Sequence, residues 1–179
     1  MQACHKIGNT LIVLKTGDIT KEKVDAIVNA ANSRLLGGGG VDGAIHRAAG
    51  PSLLEECRKI GWCEPGDAVV TGAGRLSAKH VIHTVGPIWR GGTRNEEKIL
   101  ASAYTNSLKR AMEVGARTVA FPAISTGAYG YPLNQAAKVS LCAIKKFVEE
   151  HPDTFDEIRL VLFGDNTFKA FESAMKRCF

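Results

Sequence analysis

The sequence predicts an α/β domain of three layers, with helices on both faces of a mixed, mostly parallel central sheet of about six strands. Three observations carry this. Short apolar runs alternate along the chain with longer stretches of helical spacing. Several of those runs, such as 68–71 and 81–85, are mostly apolar, as buried strands are. The length, 179 residues, fits one domain spanning residues 1–179 that buries a core without staples.

The elements follow in order. Residues 10–15 are a β-branched apolar run and form the first predicted strand. Residues 24–28 form the second, ending in Asn29-Ala30-Ala31-Asn32, and the glycine-rich loop from Gly37 to Gly40 comes next. Residues 42–49 read as a helix, and Pro51 opens another because its fixed φ suits the first helical position. Residues 68–71 and 81–85 read as buried strands. Helical spacing of Ile99, Leu100, Ala103, Leu108, Ala111 and Met112 predicts a helix over 95–114, with Gly115 as its stop. A strand at 118–121 leads into a loop from Pro122 to Tyr131. Residues 132–150 are helical, with Ala136, Val139, Ala143, Ile144 and Phe147 on one side. A last strand over 158–163 and a last helix over 167–175 complete the pattern.

In such sheets ligands bind beyond the carboxyl ends of the strands, so the loops after strands are where chemistry is sought. Gly37-Gly38-Gly39-Gly40-Val41-Asp42-Gly43 is the first of these. Ordering four glycines costs entropy, which backbone N–H groups that must approach an anion closely would justify; the alternative is a flexible turn, which needs fewer glycines. The helix starting near Asp42 adds its N-terminal dipole. Gly38, Gly40 and Gly43 match the spacing of a dinucleotide fingerprint, but residues 29–36 separate them from their strand, and the sequence excludes that reading. No Gly-Lys-Ser/Thr follows the glycines, which excludes a P-loop.

The second loop is Ser125-Thr126-Gly127-Ala128-Tyr129-Gly130-Tyr131-Pro132. Its hydroxyls and amides offer donors to a second phosphate, and Tyr129 offers a flat face to a sugar or base. Two such loops suit a diphosphate. Asp18, in Gly17-Asp18-Ile19-Thr20, reads equally as an acceptor for an exocyclic amine and as a turn or helix cap. Asn32 offers a donor and an acceptor to sugar hydroxyls. Asp42 and His46 are four apart and share a helix face, where a carboxylate orients or deprotonates water. Against this stand an N-cap role for Asp42 and an ordinary core or surface role for His46. No further ligand lies near this pair in sequence, so no metal is expected.

Composition narrows the rest. The net charge of +5 is dispersed, without a dense basic run or an aromatic-interleaved stripe, which argues against nucleic acid as partner. Five cysteines without a C-x-x-C pair argue for reduced thiols in a cytosol-like compartment, hence a cytoplasmic location. Residues 1–10 are too polar for a signal-peptide core, and no apolar stretch approaches membrane-spanning length.

Together, Gly17-Asp18-Ile19-Thr20, the stretch from Val28 to Gly50, His83-Thr84-Val85-Gly86-Pro87-Ile88-Trp89 and the run from Ser125 to Pro132 resemble a macrodomain, and the MacroD-type branch in particular. The resemblance runs from Gly17 to about Phe163. It implies a three-layer macrodomain fold and ADP-ribose as ligand. Asp18 and the Ile19 backbone would meet adenine, with Phe163 packed on the ring. Gly39, Gly40 and Val41 would line the diphosphate on one side, and Ser125, Thr126, Gly127, Ala128 and Tyr129 on the other. Asn32 would hold the distal ribose, Asp42 would position or activate water, and His46 would stand with them in a less defined role. The implied activity is hydrolysis of mono-ADP-ribosyl esters on acidic side chains of modified proteins, and of O-acetyl-ADP-ribose, without a cofactor. The alternative is a reader that binds ADP-ribose without cleaving it. RNA binding and phosphatase action on ADP-ribose phosphate rank below both.

Overall fold

The computed structural model describes residues 1–179. One seven-stranded sheet runs in the order β1-β2-β7-β6-β3-β5-β4. The strands are β1 Gln2–Ile7, β2 Thr10–Thr16, β3 Ala26–Ala30, β4 Ala68–Gly72, β5 His80–Thr84, β6 Thr118–Phe121 and β7 Glu157–Leu162. The inner five pair in parallel, while β1 and β4 close the two edges antiparallel. The predicted architecture is therefore present, with seven strands where six were expected. The additional one is β1, which lies mostly exposed on the edge and carries no alternation that would announce it. A 3₁₀ turn, Ile19–Lys21, follows β2.

The inner strands are apolar on both faces because both faces are covered. On β3, Ala26 and Val28 join the larger core, whereas Ile27 between them joins a smaller one. On β7, Ile158, Leu160 and Leu162 face the larger core, and Val161 the smaller. This is the period of two expected of a pleated strand. The larger core lies under α3 Glu96–Glu113, α4 Leu133–Glu150 and α5 Asp165–Cys178. The smaller lies under α1 Gly40–Ala49 and α2 Pro51–Ile60. The fully buried aliphatics Ile12, Leu14, Ile27, Ile82 and Leu100 are each worth roughly 1.5–3 kcal/mol of burial.

The order also creates the crevice. From β3 the chain moves outward to β4 and β5, and then α3 carries it back to β6 on the other flank. The loops after β3 and β6, neighbours in the sheet, thus depart in opposite directions and leave a gap at their carboxyl ends.

One buried carboxylate secures a flank of this gap. Glu96 accepts from the backbone N–H groups of Arg90 (2.9 Å), Gly92 (2.8 Å) and Arg94 (2.5 Å). Burial pushes its pKa up, but these amides outweigh that and hold it near 2. The loop so pinned presents Trp89, whose N–H donates to the Tyr129 carbonyl at 2.8 Å. No helix is long and apolar enough to cross a membrane.

Candidate functional site

Four neighbouring strands, β2, β7, β6 and β3, end side by side, and every residue expected at the site sits on the loops that follow them or on α1. At one end, the N–H of Gly17 donates to Leu162 O at 3.2 Å, which sets Asp18 beside Phe163. Phe163 is 88% exposed, an aromatic face left bare after a buried strand. Asp18 is the cap the sequence allowed, and it leaves one oxygen without a protein donor. Its Oδ1 accepts from the Thr20 hydroxyl (2.7 Å) and N–H (2.9 Å), capping the 3₁₀ turn, while Oδ2 takes no protein donor. The Thr20 hydroxyl and amide hold the carboxyl below its ordinary pKa, so it is an acceptor at neutral pH. Ile19 buries its side chain in the smaller core, leaving only its backbone for a ligand.

In the middle, two loops face each other across the crevice. In the glycine loop the first amide of α1 with a backbone acceptor is that of Gly43, bonded to Gly39 O at 3.1 Å. The N–H groups of Gly39, Gly40, Val41 and Asp42 are left over, and no side chain caps them. Gly40 lies at φ +56°, in the left-handed region that favours glycine. Opposite, the N–H groups of Gly127, Ala128 and Tyr129 also lack intramolecular acceptors. Here the structure corrects one expectation. The hydroxyls of Ser125 and Thr126 are not phosphate donors in this arrangement. Thr126 Oγ1 donates to Ala123 O at 2.8 Å. Ser125, at φ +67°, turns its hydroxyl inward against Gly86, where it is buried without a partner. The loop therefore offers main-chain amides, as the glycine loop does.

At the other end stand Asn32, Asp42 and His46. Asn32 shapes the loop, donating from Nδ2 to Gly37 O (2.9 Å) and accepting at Oδ1 from the Leu35 N–H (3.1 Å). Asp42 is buried but points one oxygen outward. Its Oδ1 accepts from Asn29 Nδ2 at 2.8 Å and lies 3.3 Å from His46 Nε2. Its Oδ2 takes no protein donor and lies toward Gly38, with the Asn32 amide on the same side. Burial raises the Asp42 pKa, opposed by the Asn29 amide and by His46. A carboxylate so placed is a stronger base than one in water. It is not the N-cap of α1, which is Gly39.

Beneath Asp42 the fold assembles residues that sequence reasoning passed over. Asn29 on β3 and His83 on β5 are register partners, with Asn29 Nδ2 and His83 Nδ1 3.2 Å apart. His83 Nε2 lies 2.9 Å from Thr71 Oγ1 on β4. Cys57 Sγ, from α2, lies 3.7 Å from the same nitrogen. Sequence showed no ligands near His46, yet ligand atoms of His46, Cys57 and His83 converge within 4.8 Å. The donor set fits a metal poorly. Both His83 nitrogens are engaged, and burial, followed by Asp42 and Glu56, pushes the Cys57 thiol up to about 11. The only local signals were Asn29 next to the Ala-Ala-Asn run and a histidine inside an apolar strand.

The arrangement is a groove lined by amides from two sides, with an aromatic face at one end and a basic carboxylate at the other. Comparison with known proteins places the fold and the family. The Macro domain family model matches residues 28–140. An O-acetyl-ADP-ribose deacetylase of Citrobacter rodentium is 54% identical over 168 residues, covering 92% of this chain and 94% of that protein. An ADP-ribose glycohydrolase of Xenopus laevis is 54% identical over 164 residues, 91% of this chain but 39% of that longer protein. Among solved structures, the Oceanobacillus iheyensis macrodomain with ADP superposes with a TM-score of 0.94 at 38% identity, covering 99% of this chain and 96% of that one. The Trypanosoma brucei macrodomain in complex with ADP-ribose does so with a TM-score of 0.86 at 42% identity, over 92% of this chain and 68% of that one. The bare amides, the exposed Phe163 and the buried Asp42 thus sit on a known scaffold, and the chain belongs to the Macro domain family.

Proposed function

We propose that this protein binds ADP-ribose along the groove and hydrolyses acyl esters of it, namely mono-ADP-ribose on acidic side chains of proteins and O-acetyl-ADP-ribose. The observation that carries the reading is the convergence of two rows of unpaired amides on a gap that ends at Asp42. From β2 to β3 the site spans three strand spacings, about 14 Å, which suits an extended nucleoside diphosphate sugar. Adenine would lie against Phe163 with its amine toward Asp18. The diphosphate would take the amides of Gly39 to Val41 and of Gly127 to Tyr129. Tyr129 and Asn32 would flank the distal ribose.

The chemistry then falls to Asp42. Its Oδ2 faces the distal end, where an acyl ester would sit, and is placed to orient and deprotonate a water. His46 Nε2 and Asn29 hold the other oxygen, so the carboxylate keeps one direction. Diphosphate binding fixes the ester beside that water, and this orientation supplies much of the acceleration. No Ser-His-Asp set is assembled near the ester position, and none is needed when water is the nucleophile.

Calorimetry with ADP-ribose, followed by release assays on an ester-linked substrate, tests the proposal. Tight binding with release is the expected result. Binding without release of ester-linked label would make the protein a reader. Phe163→Ala should weaken ADP-ribose binding by about fivefold, the equivalent of one aromatic stack. Because the side chain is exposed, the melting temperature should not move. Unchanged calorimetric affinity would remove Phe163 from the adenine site.

A further inference from the structure

We propose that His83, set in one tautomer by Thr71, is a positioning residue that turns the Asn29 amide so that it donates to Asp42 and keeps Oδ2 aimed at the reacting water. The role rests on the hydrolase reading above, but the geometry stands without it. All three side chains are sealed from solvent: Asn29 and His83 are 0% exposed and Thr71 is 4% exposed.

The proton positions follow from the partners. Thr71 Oγ1 has one proton, and it lies 2.9 Å from Gly72 O. Donating there leaves a lone pair facing His83 Nε2, also at 2.9 Å, so that nitrogen carries the ring proton. His83 Nδ1 is then bare and accepts from Asn29 Nδ2 at 3.2 Å. The second proton of the same amide reaches Asp42 Oδ1 at 2.8 Å. The chain therefore runs Thr71, His83, Asn29, Asp42, every donor facing an acceptor.

The far atom of the amide shows why His83 matters. Asn29 Oδ1 is buried and has no partner. It does nothing to hold the amide in place. Were His83 protonated on Nδ1 instead, two donors would meet head-on, and the amide would relieve this by turning over. Oδ1 would then face both the ring and the Asp42 carboxylate. The tautomer of a histidine that never touches the ligand thus decides whether Asp42 meets a donor or an acceptor.

The titratable neighbours do not substitute for it. His46, on α1 with Asp42, approaches the same Oδ1 at 3.3 Å. From α2, Cys57 contacts His83 and stays a thiol at neutral pH. Glu56, also on α2, accepts from the Gly72 N–H, away from Asp42. His83 itself stays neutral, since burial first and His46 second lower its pKa to about 3. Asn29 is therefore the uncharged donor on which the carboxylate depends.

The test begins with the wild-type protein. A long-range ¹H–¹⁵N spectrum should show His83 protonated on Nε2 and bare at Nδ1; the opposite tautomer overturns the proposal, whatever the activity. Thr71→Val, which keeps the shape and loses the acceptor, should raise the Asp42 pKa read by carboxyl ¹³C shifts. The acid limb of the kcat profile should move to higher pH with it, because a base works only above its pKa. Near neutral pH kcat should fall about tenfold, one hydrogen bond to a charged group, with ADP-ribose affinity unchanged. Thr71→Ser, which restores the hydroxyl, should restore both. An unmoved Asp42 titration and unchanged kcat in Thr71→Val would refute the role. If Thr71→Val does not fold, the wild-type tautomer and the Thr71→Ser titration decide. If the wild type releases no ester, the hydrolase reading fails, while the spectra still report on His83.

Discussion

Asp42→Ala is expected to slow release of ester-linked ADP-ribose by about a hundredfold or more, with ADP-ribose affinity changed by less than about fivefold. The asymmetry follows from where the carboxylate stands. In the proposed binding mode Asp42 lies at the distal end of the groove, and the grip would come from backbone amides that the substitution leaves in place. What is lost is a base whose pKa burial has raised above that of an ordinary aspartate. Wild-type turnover in Asp42→Ala would remove the residue from the mechanism.

Stability gives the same substitution a second readout. The Asp42 carboxyl is raised in the folded state, chiefly by burial. An acid raised in this way costs the fold nothing while protonated, below its unfolded pKa. The cost grows as pH rises through the window between the unfolded and folded values, and it is fully present above the folded value. Alanine removes that cost, but it leaves the Asn29 amide with one fewer acceptor, a loss of about 1–3 kcal/mol. The two oppose each other, so the melting temperature at neutral pH should stay near that of the wild type. Relative to the wild type, the variant should gain stability as pH rises through that window, from the ordinary aspartate value upward. A buried acid retained against such a cost is what a functional site exhibits.

How much of this was legible in the sequence depends on whether the signal was local. The inner strands were, because burial on both faces writes apolar runs such as Leu160-Val161-Leu162. The glycine loop and the second loop were, because their composition makes no sense as ordinary turns. Strand β1 was not: an edge strand reading Gln-Ala-Cys-His-Lys-Ile offers no period of two. Helix α1 begins two residues earlier than its periodicity implies, at Gly40, a poor helix former placed there by the loop. The hydroxyls of Ser125 and Thr126 read as donors, but a left-handed φ at Ser125 turns one inward and a turn consumes the other. The network under Asp42 had only faint local signals, an asparagine and a histidine inside buried strands, and nothing in sequence to join them. Asn29 and His83 are 54 residues apart and meet only because β3 and β5 pair in register.

Gly43→Ala should lower both stability and affinity, although helix propensity alone predicts the reverse. Gly43 is an interior residue of α1, where alanine is worth roughly 1 kcal/mol more than glycine. The structure opposes this with a steric term. A Cβ on Gly43 would overlap the carbonyl oxygen of Gly38 and come within 3.1 Å of Arg47 Nη1. Arg47 has room to swing away, but the Gly38 carbonyl is main chain and moves only with the glycine loop. Overpacking of this kind costs roughly 1–3 kcal/mol, enough to cancel the propensity gain and exceed it. The melting temperature should fall by about 2–4 °C for each kcal/mol of the net loss. Displacing Gly38 shifts the amides of Gly39 to Val41, so ADP-ribose affinity should fall about tenfold, the loss of one good contact to a charged group. Gly39→Ala separates the two effects. There a Cβ meets nothing within 4 Å, and φ is −92°, which any residue adopts. Its fold should be unperturbed, and any loss of affinity must come from a methyl group standing where the diphosphate would lie. Gly39→Ala with wild-type affinity would place the diphosphate elsewhere. Gly43→Ala with raised stability would show that the loop yields, and that its amides are not held in the fixed array on which anion binding depends.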